Sequence, residues 1–222
     1  MLTPSEIKKE SYAQKIIRSE KIVKILSKKY KNPSTALTYS NPLQLLISII
    51  LSAQCTDERV NLVTPKLFKL FNSIEDFANA NKRELEQIIY STGYYRNKAK
   101  NIIACCQSLK LNFNNIIPST MEELISLPGV GRKTANCLLT EYFNKTEGIV
   151  VDTHVLRISN RLGFTKNIYA VKTEIDLMNL IKKKYWRFYG SDLILFGREL
   201  CKARSPNCKM CLVSNLCPSR NI

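Results

Sequence analysis

"LPGVGRKTANCLL", residues 127–139, places two of the chain's seven glycines within three positions, Gly129 and Gly131, just ahead of an Arg–Lys pair and a helical pattern. With "MEELIS" before it, the stretch reads as helix, tight Gly/Pro turn, helix. Glycine at 129 and 131 permits positive φ and close approach of a ligand to the backbone. The N–H groups of the turn and of the helix it opens form a nest for one phosphate. A plain helix–helix turn would use the same glycines, so the motif decides little until the rest of the chain is considered.

Working outward, helix-start signals recur and strand alternation is nearly absent, which predicts an all-α protein. Thr3-Pro4-Ser5-Glu6 and Ser119-Thr120-Met121-Glu122 read as capping boxes, the first with proline at the opening helical position. Asn41-Pro42 opens an apolar run, Ser73 precedes "IEDF" and Asn81 precedes "KREL". The run "LQLLISIILSA" (43–53) is apolar all round and is expected at the centre of its domain. "VKTEIDLMNLIKKKYW" (171–186) keeps a helical period throughout, with basic residues on its outer face.

The 222 residues carry 34 Lys and Arg against 18 Asp and Glu, a net charge of +16 that points to a polyanionic partner. The excess lies at the ends. Residues 1–34 hold nine basic against three acidic side chains and 147–222 hold thirteen against six, while 35–146 hold twelve against nine. A compact middle domain, 35–146, inserted into a domain built from 1–34 and 147–222 would give that distribution. No apolar run approaches the roughly 18 residues of a membrane span, and "MLTPSEIKKE" lacks a secretory apolar core. The expected setting is the cytoplasm, where cysteines stay reduced or bind metal.

Four of the eight cysteines, Cys201, Cys208, Cys211 and Cys217, fall in the last 22 residues with spacing C-x6-C-x2-C-x5-C. Four thiolates this close suit zinc or a [4Fe–4S] cube; one close pair flanked by wider gaps leans toward the cluster. Cys55, Cys105, Cys106 and Cys137 lie among apolar residues and read as small core side chains in helices.

Lys133 sits in the first turn behind the hairpin, where the positive helix end and an expected partial burial both disfavour its charged form. A lysine so placed is a candidate nucleophile for Schiff-base chemistry. In "GIVVDTHVLRISNRLG", Asp152 stands where a helix N-cap belongs. After a helix of about twelve residues, the following eight, extended, are long enough for Asp152 to face Lys133 across a cleft and to take or hold a proton. His154 is the sole histidine, so a multi-histidine metal site is excluded, and no Ser-His-Asp triad fits the sequence.

These segments together resemble the bacterial endonuclease III family of helix–hairpin–helix DNA glycosylases. "LLISIILSAQCTDERVN", "STGYYRNKAKNI", "LPGVGRKTAN", "VDTHVLRISNRLG" and the four-cysteine tail follow in the family's order over nearly the whole chain. The resemblance implies a six-helix domain inserted into an iron–sulfur domain, with a [4Fe–4S] cluster on Cys201, Cys208, Cys211 and Cys217. It implies a base-excision enzyme that removes oxidised pyrimidines from damaged double-stranded DNA and nicks the strand by β-elimination. Lys133 would attack C1′ and Asp152 would assist. Gln54 would fill the hole left by the extruded nucleotide, aided by Tyr94, where the family carries an aliphatic residue. Gly129, Val130, Gly131 and Arg132 of the hairpin, and Lys202 and Arg204 of "KARSPN", would contact the DNA backbone; Lys182, Lys183 and Lys184 read first as a solvated helix face and, as the alternative, as compensation for the neutral Ser205 and Asn207. A monomer acting in the nucleoid is expected; the alternative is a non-catalytic iron–sulfur or zinc DNA-binding protein.

Overall fold

The computed structural model describes residues 4–31 and 34–220, and every regular element among them is a helix. In chain order these are α1 (Pro4–Lys8), α2 (Tyr12–Tyr30), α3 (Pro42–Ser52), α4 (Asp57–Leu70), α5 (Ile74–Ala78), α6 (Lys82–Ile89), α7 (Tyr95–Asn112), α8 (Met121–Ile125) and α9 (Arg132–Glu141). They continue with α10 (Thr153–Arg161), α11 (Ala170–Leu180) and α12 (Trp186–Glu199). The chain divides into two compact units, residues 35–147 and residues 1–34 with 148–222. None of these helices is long and apolar enough to cross a membrane.

The starts follow from side-chain chemistry. Asn41 caps α3 by accepting the Gln44 amide, with Pro42 at the first helical position. Ser73 and Asp76 form a reciprocal capping box on α5, and Asn81 accepts the amides of Arg83 and Glu84 at α6. Each such cap contributes about 1 kcal/mol. At α8 the cap is Thr120, one residue later than the sequence suggests, because Glu123 rather than Glu122 reaches it. Ser119 instead accepts the Lys145 ammonium at 2.8 Å. The cap expected at Thr3 lies outside the described residues.

In the 35–147 unit α3 is the centre: Leu43 and all of Leu45–Leu51 are buried. Around it pack Val60 and Leu67 of α4, Phe77 of α5, Leu85 and Ile89 of α6, Ile102, Cys105, Cys106 and Leu109 of α7, and Leu138 and Leu139 of α9. At roughly 1.5–3 kcal/mol per large apolar side chain, this burial outweighs every cap. Cys105 and Cys106 belong to that core, and burial pushes the Cys105 thiol up to about 12. Cys55 differs from expectation: it is half-buried in the turn after α3, not in a helix, and Cys137 is half-buried on α9.

The other unit gathers Ile22, Val23 and Leu26 of α2 with Val155 and Ile158 of α10, Leu177 and Leu180 of α11, and Tyr189, Leu193 and Phe196 of α12. Arg18, 4 % exposed, staples it. Its guanidinium holds the Glu10 carboxylate and donates to the carbonyls of Leu162 (2.9 Å) and Leu216 (3.0 Å), joining α2 to the end of α10 and to the cysteine tail. The single helix expected over 171–186 is broken. Ile181 is buried and extended, and its carbonyl accepts the Trp186 indole N–H at 2.7 Å; a 3₁₀ turn over Lys183–Tyr185 then leads into α12. Tertiary packing of Ile181 and Trp186 overrides an unbroken local period.

Candidate active site and metal centre

The hairpin lies within the 35–147 unit. Pro128 and Gly129 occupy the central positions of a turn closed by Val130 N–H donating to the Leu127 carbonyl at 3.1 Å. Gly129 has φ +77°, the value a type II turn requires at its third residue. A Cβ there would lie 2.6 Å from Asn101 Cβ on α7, so the turn rests directly on that helix. Gly131 departs from the reading above. Its φ is −88° and its surroundings are open, so it is no conformational requirement; it is the N-cap of α9. That helix has no side-chain cap, and a helix N-terminus is where backbone donors and the helix dipole favour an anion. Val130 is buried and anchors the loop in the core.

Lys133, in the first turn of α9, is exposed. The partial burial expected from sequence does not hold: Ala135, Asn136, Leu138 and Leu139 form the buried face of α9 and Lys133 stands off it. Gln54 and Tyr94 are exposed residues at two corners of the same unit, one between α3 and α4 and one at the start of α7. Both hold left-handed backbone, φ 54° and φ 48°, although neither is glycine. Beneath them lies Lys98, which sequence reasoning missed. It is 5 % exposed and donates to the carbonyls of Leu51 and Thr92, both at 2.8 Å. A signal existed, because Lys98 occupies the first position of the stripe Lys98, Ile102, Cys105, Leu109 along the buried face of α7.

Asp152, Lys202, Arg204 and the four clustered cysteines belong to the other unit. Asp152 is the N-cap of α10: Oδ1 accepts the Val155 amide at 2.8 Å, and Oδ2 lies 3.2 Å from His154 Nδ1. The carboxylate is half-buried and held at both oxygens, so its cap does not exhaust it.

Cys201, Cys208, Cys211 and Cys217 all line one pocket, partly open to solvent, with Leu162, Phe196, Leu200 and Val213. None is in a disulfide. Among the described residues no three His, Cys, Asp or Glu side chains converge as a single metal ion demands. Four thiols around one apolar-walled cavity are a donor set of the kind that holds a multi-iron cube or a zinc ion. Burial pushes the Cys211 thiol up to about 11 and raises Cys217 as well, so a bound cation would have to displace protons. Arg161 braces the segment after the first cysteine, donating to the carbonyls of Lys202 (2.7 Å) and Ala203 (2.8 Å) and lying 3.3 Å from Cys201 Sγ. Arg157 donates to the Cys201 carbonyl at 3.0 Å. This bracing holds the loop of Lys202 and Arg204, both exposed. Lys182 is engaged elsewhere, 2.8 Å from Glu20, while Lys183 and Lys184 lie over the rings of Trp186 and Tyr185.

The described residues are all helical, with a glycine hairpin opening a helix that lacks a side-chain cap, an exposed lysine behind it and, in the other unit, a cysteine-lined cavity; these features alone admit several classes of protein. Comparison with known proteins narrows this. A family profile described as "HhH-GPD superfamily base excision DNA repair protein" matches residues 47–184. Endonuclease III of Synechocystis sp. is 46% identical over 207 residues, 93% of this chain and 94% of that one. Endonuclease III of Bacillus subtilis is 43% identical over 82% of this chain and 83% of its own. Among solved structures, "Structure of a Trapped Endonuclease III-DNA Covalent Intermediate: Estranged-Adenine Complex" superposes with TM-score 0.85 at 40% identity, covering 99% of this chain and 97% of that one. The chain belongs to the endonuclease III family of the HhH-GPD superfamily, base-excision repair enzymes with DNA glycosylase and AP lyase activity.

Proposed function

We propose that the protein excises oxidised pyrimidines from duplex DNA and nicks the resulting abasic strand through a Schiff base on Lys133. The observation that carries this is the placement of Lys133: exposed, in the first turn of an uncapped helix, directly behind a turn fixed by Gly129 and Val130. A phosphate seated on the opening amides of α9 would bring the backbone of one strand beside the amine. Because Lys133 is exposed in the free protein, DNA itself has to exclude water from it.

The amine nitrogen attacks C1′ of an extruded nucleotide. The glycosidic bond breaks with its electron pair leaving on the base, which is protonated as it departs. Sugar-ring opening gives an iminium between C1′ and Lys133. Removal of a proton from C2′ then pushes electrons toward C3′, and the 3′-phosphate leaves, nicking the strand. Asp152 receives the amine proton or steadies the developing positive charge, and its hold by Val155 and His154 fits a carboxylate kept in one orientation. Gln54 and Tyr94 occupy the space vacated in the duplex, the tyrosine by stacking. Lys202 and Arg204 add phosphate contacts.

Cys201, Cys208, Cys211 and Cys217 would hold the [4Fe–4S] cluster, which supplies a covalent crosslink to a tail with few apolar side chains of its own. The net charge of +16 supports double-stranded DNA as partner and the nucleoid as place of action, with a single chain as the working unit. Borohydride trapping tests the reading. A covalent adduct with DNA bearing an oxidised pyrimidine is expected, absent in Lys133→Gln while that variant still binds DNA. An adduct that persists in the variant would move the chemistry to another residue.

A further inference from the structure

Lys98 is the one lysine of α7 on its buried face; Lys100 and Lys110 are exposed. Burial pulls its pKa down, so an ammonium here has to be offset by its partners. Those partners are two backbone carbonyls on different elements. Leu51 lies in the last turn of α3, where carbonyls lack intrahelical donors and the helix end is negative. Thr92 ends the 3₁₀ turn over Tyr90–Thr92. Three residues past the first carbonyl stands Gln54, and two residues past the second stands Tyr94. Each has the left-handed backbone that a side chain with Cβ adopts unfavourably and keeps only where its surroundings hold it.

We propose that Lys98 is a positioning residue that ties the Gln54 and Tyr94 corners to one buried point, so that the two side chains enter the duplex as a fixed pair. A single ammonium bridges two carbonyls with donors to spare, which no neutral apolar residue on that stripe can do. Fixing both corners in advance removes the ordering cost that two loops would otherwise meet during extrusion. The proposal rests on the reading of Gln54 and Tyr94 as the residues that fill the vacated space.

The test uses the full-length protein and a duplex with 2-aminopurine beside an oxidised pyrimidine, followed by stopped-flow fluorescence under single-turnover conditions. Lys98→Met should slow extrusion at least about tenfold, because two hydrogen bonds from a charged donor are lost. Affinity for undamaged duplex and trapping on a single-stranded abasic oligonucleotide should stay at the parent level. Lys98→Arg, which keeps donors for both carbonyls, should recover most of the rate. Amides of residues 53–55 and 93–95 should exchange faster in Lys98→Met than in the parent. If Lys98→Met does not fold, Lys98→Gln, with fewer donors, replaces it. Gln54→Ala and Tyr94→Ala separate the two ideas. Slow extrusion in both, with the parent rate in Lys98→Met, overturns the role of Lys98 alone; parent rates in all of them overturn the wedge reading and this proposal with it.

Discussion

Replacing Gly129 by alanine should destabilise the 35–147 unit by about 3 kcal/mol, and the cost can be divided. A left-handed backbone at φ +77° costs an alanine roughly 1–2 kcal/mol. The new Cβ would stand 2.6 Å from Asn101 Cβ, too close for any real contact, and the relief has to come from main chain because that atom is fixed to α7. Overpacking of this kind costs about 1–3 kcal/mol. Against both stands a gain of roughly 0.4–1 kcal/mol from the stiffer unfolded chain. Gly131→Ala is the control. Its φ of −88° suits any residue and its Cβ meets nothing within 4 Å. The loss of a favoured cap residue and the unfolded-state gain nearly cancel, leaving a change within about 0.5 kcal/mol. Urea unfolding followed by far-UV circular dichroism reads the difference: at a slope of about 2 kcal/mol/M, Gly129→Ala moves the midpoint by roughly 1.5 M. A second substitution isolates the contact. Asn101→Gly should recover part of the loss in the Gly129→Ala background, whereas Asn101→Ala, which retains Cβ, should recover little. Equal midpoint shifts for Gly129→Ala and Gly131→Ala, or equal rescue by both Asn101 variants, would refute the reasoning.

Asp152→Asn keeps an N-cap acceptor, so stability should hold within about 0.5 kcal/mol while base release slows at least about a hundredfold; a normal rate per folded molecule would reduce Asp152 to a cap. Asp152→Ala should lose about 1 kcal/mol of stability in addition. Asp192, 2 % exposed, has its carboxyl pushed up to about 7 by burial, from an ordinary value of 3.8. Between those values the unfolded chain ionises it and the folded chain does not, so its cost to stability is absent below pH 4 and complete above pH 7. Asp192→Asn should therefore gain on the parent by a few kcal/mol as pH rises from about 4 to 8, measured by thermal melting; a pH-independent difference would contradict this. Affinity for duplex DNA should fall about a thousandfold between 50 and 200 mM salt if roughly six phosphates are contacted, as titration by fluorescence anisotropy would read; a flat response would deny the charge its role.

Much of this was legible in the chain because the deciding interactions are local. Asn41, Ser73, Asn81 and Asp152 cap the helices they precede, since a short polar side chain three residues ahead of an amide needs no help from the rest of the fold. The apolar run of α3 announces its burial by lacking a polar face. What could not be read depends on distant partners. The helix break at Ile181 is set by the Trp186 indole and by packing, while the period through 171–186 runs on unbroken. Lys133 follows a hairpin that sequence identifies, but its exposure reflects which face of α9 meets the core. Lys98 hides among 34 basic residues because both its acceptors are backbone carbonyls, and main-chain groups leave no residue signature.

The exposure of Lys133 bears on where selectivity arises. On the reading proposed above, an amine open to water before DNA arrives would meet any sugar that comes within reach, so its own surroundings in the 35–147 unit would do little to choose among nucleotides. Discrimination then falls to the step that brings one nucleotide out of the stack, where unpairing is least costly for a damaged base. Under the proposal made above, that step involves two of the unit's non-glycine residues with left-handed backbone, Gln54 and Tyr94, and the buried ammonium of Lys98 that bridges the carbonyls of Leu51 and Thr92. A fold selected for stability alone would place glycine at 54 and 94 and an apolar side chain at 98. The presence of Gln54, Tyr94 and Lys98 at these positions fits the proposal that rigid corners, rather than the surroundings of Lys133, set which lesion reaches that amine.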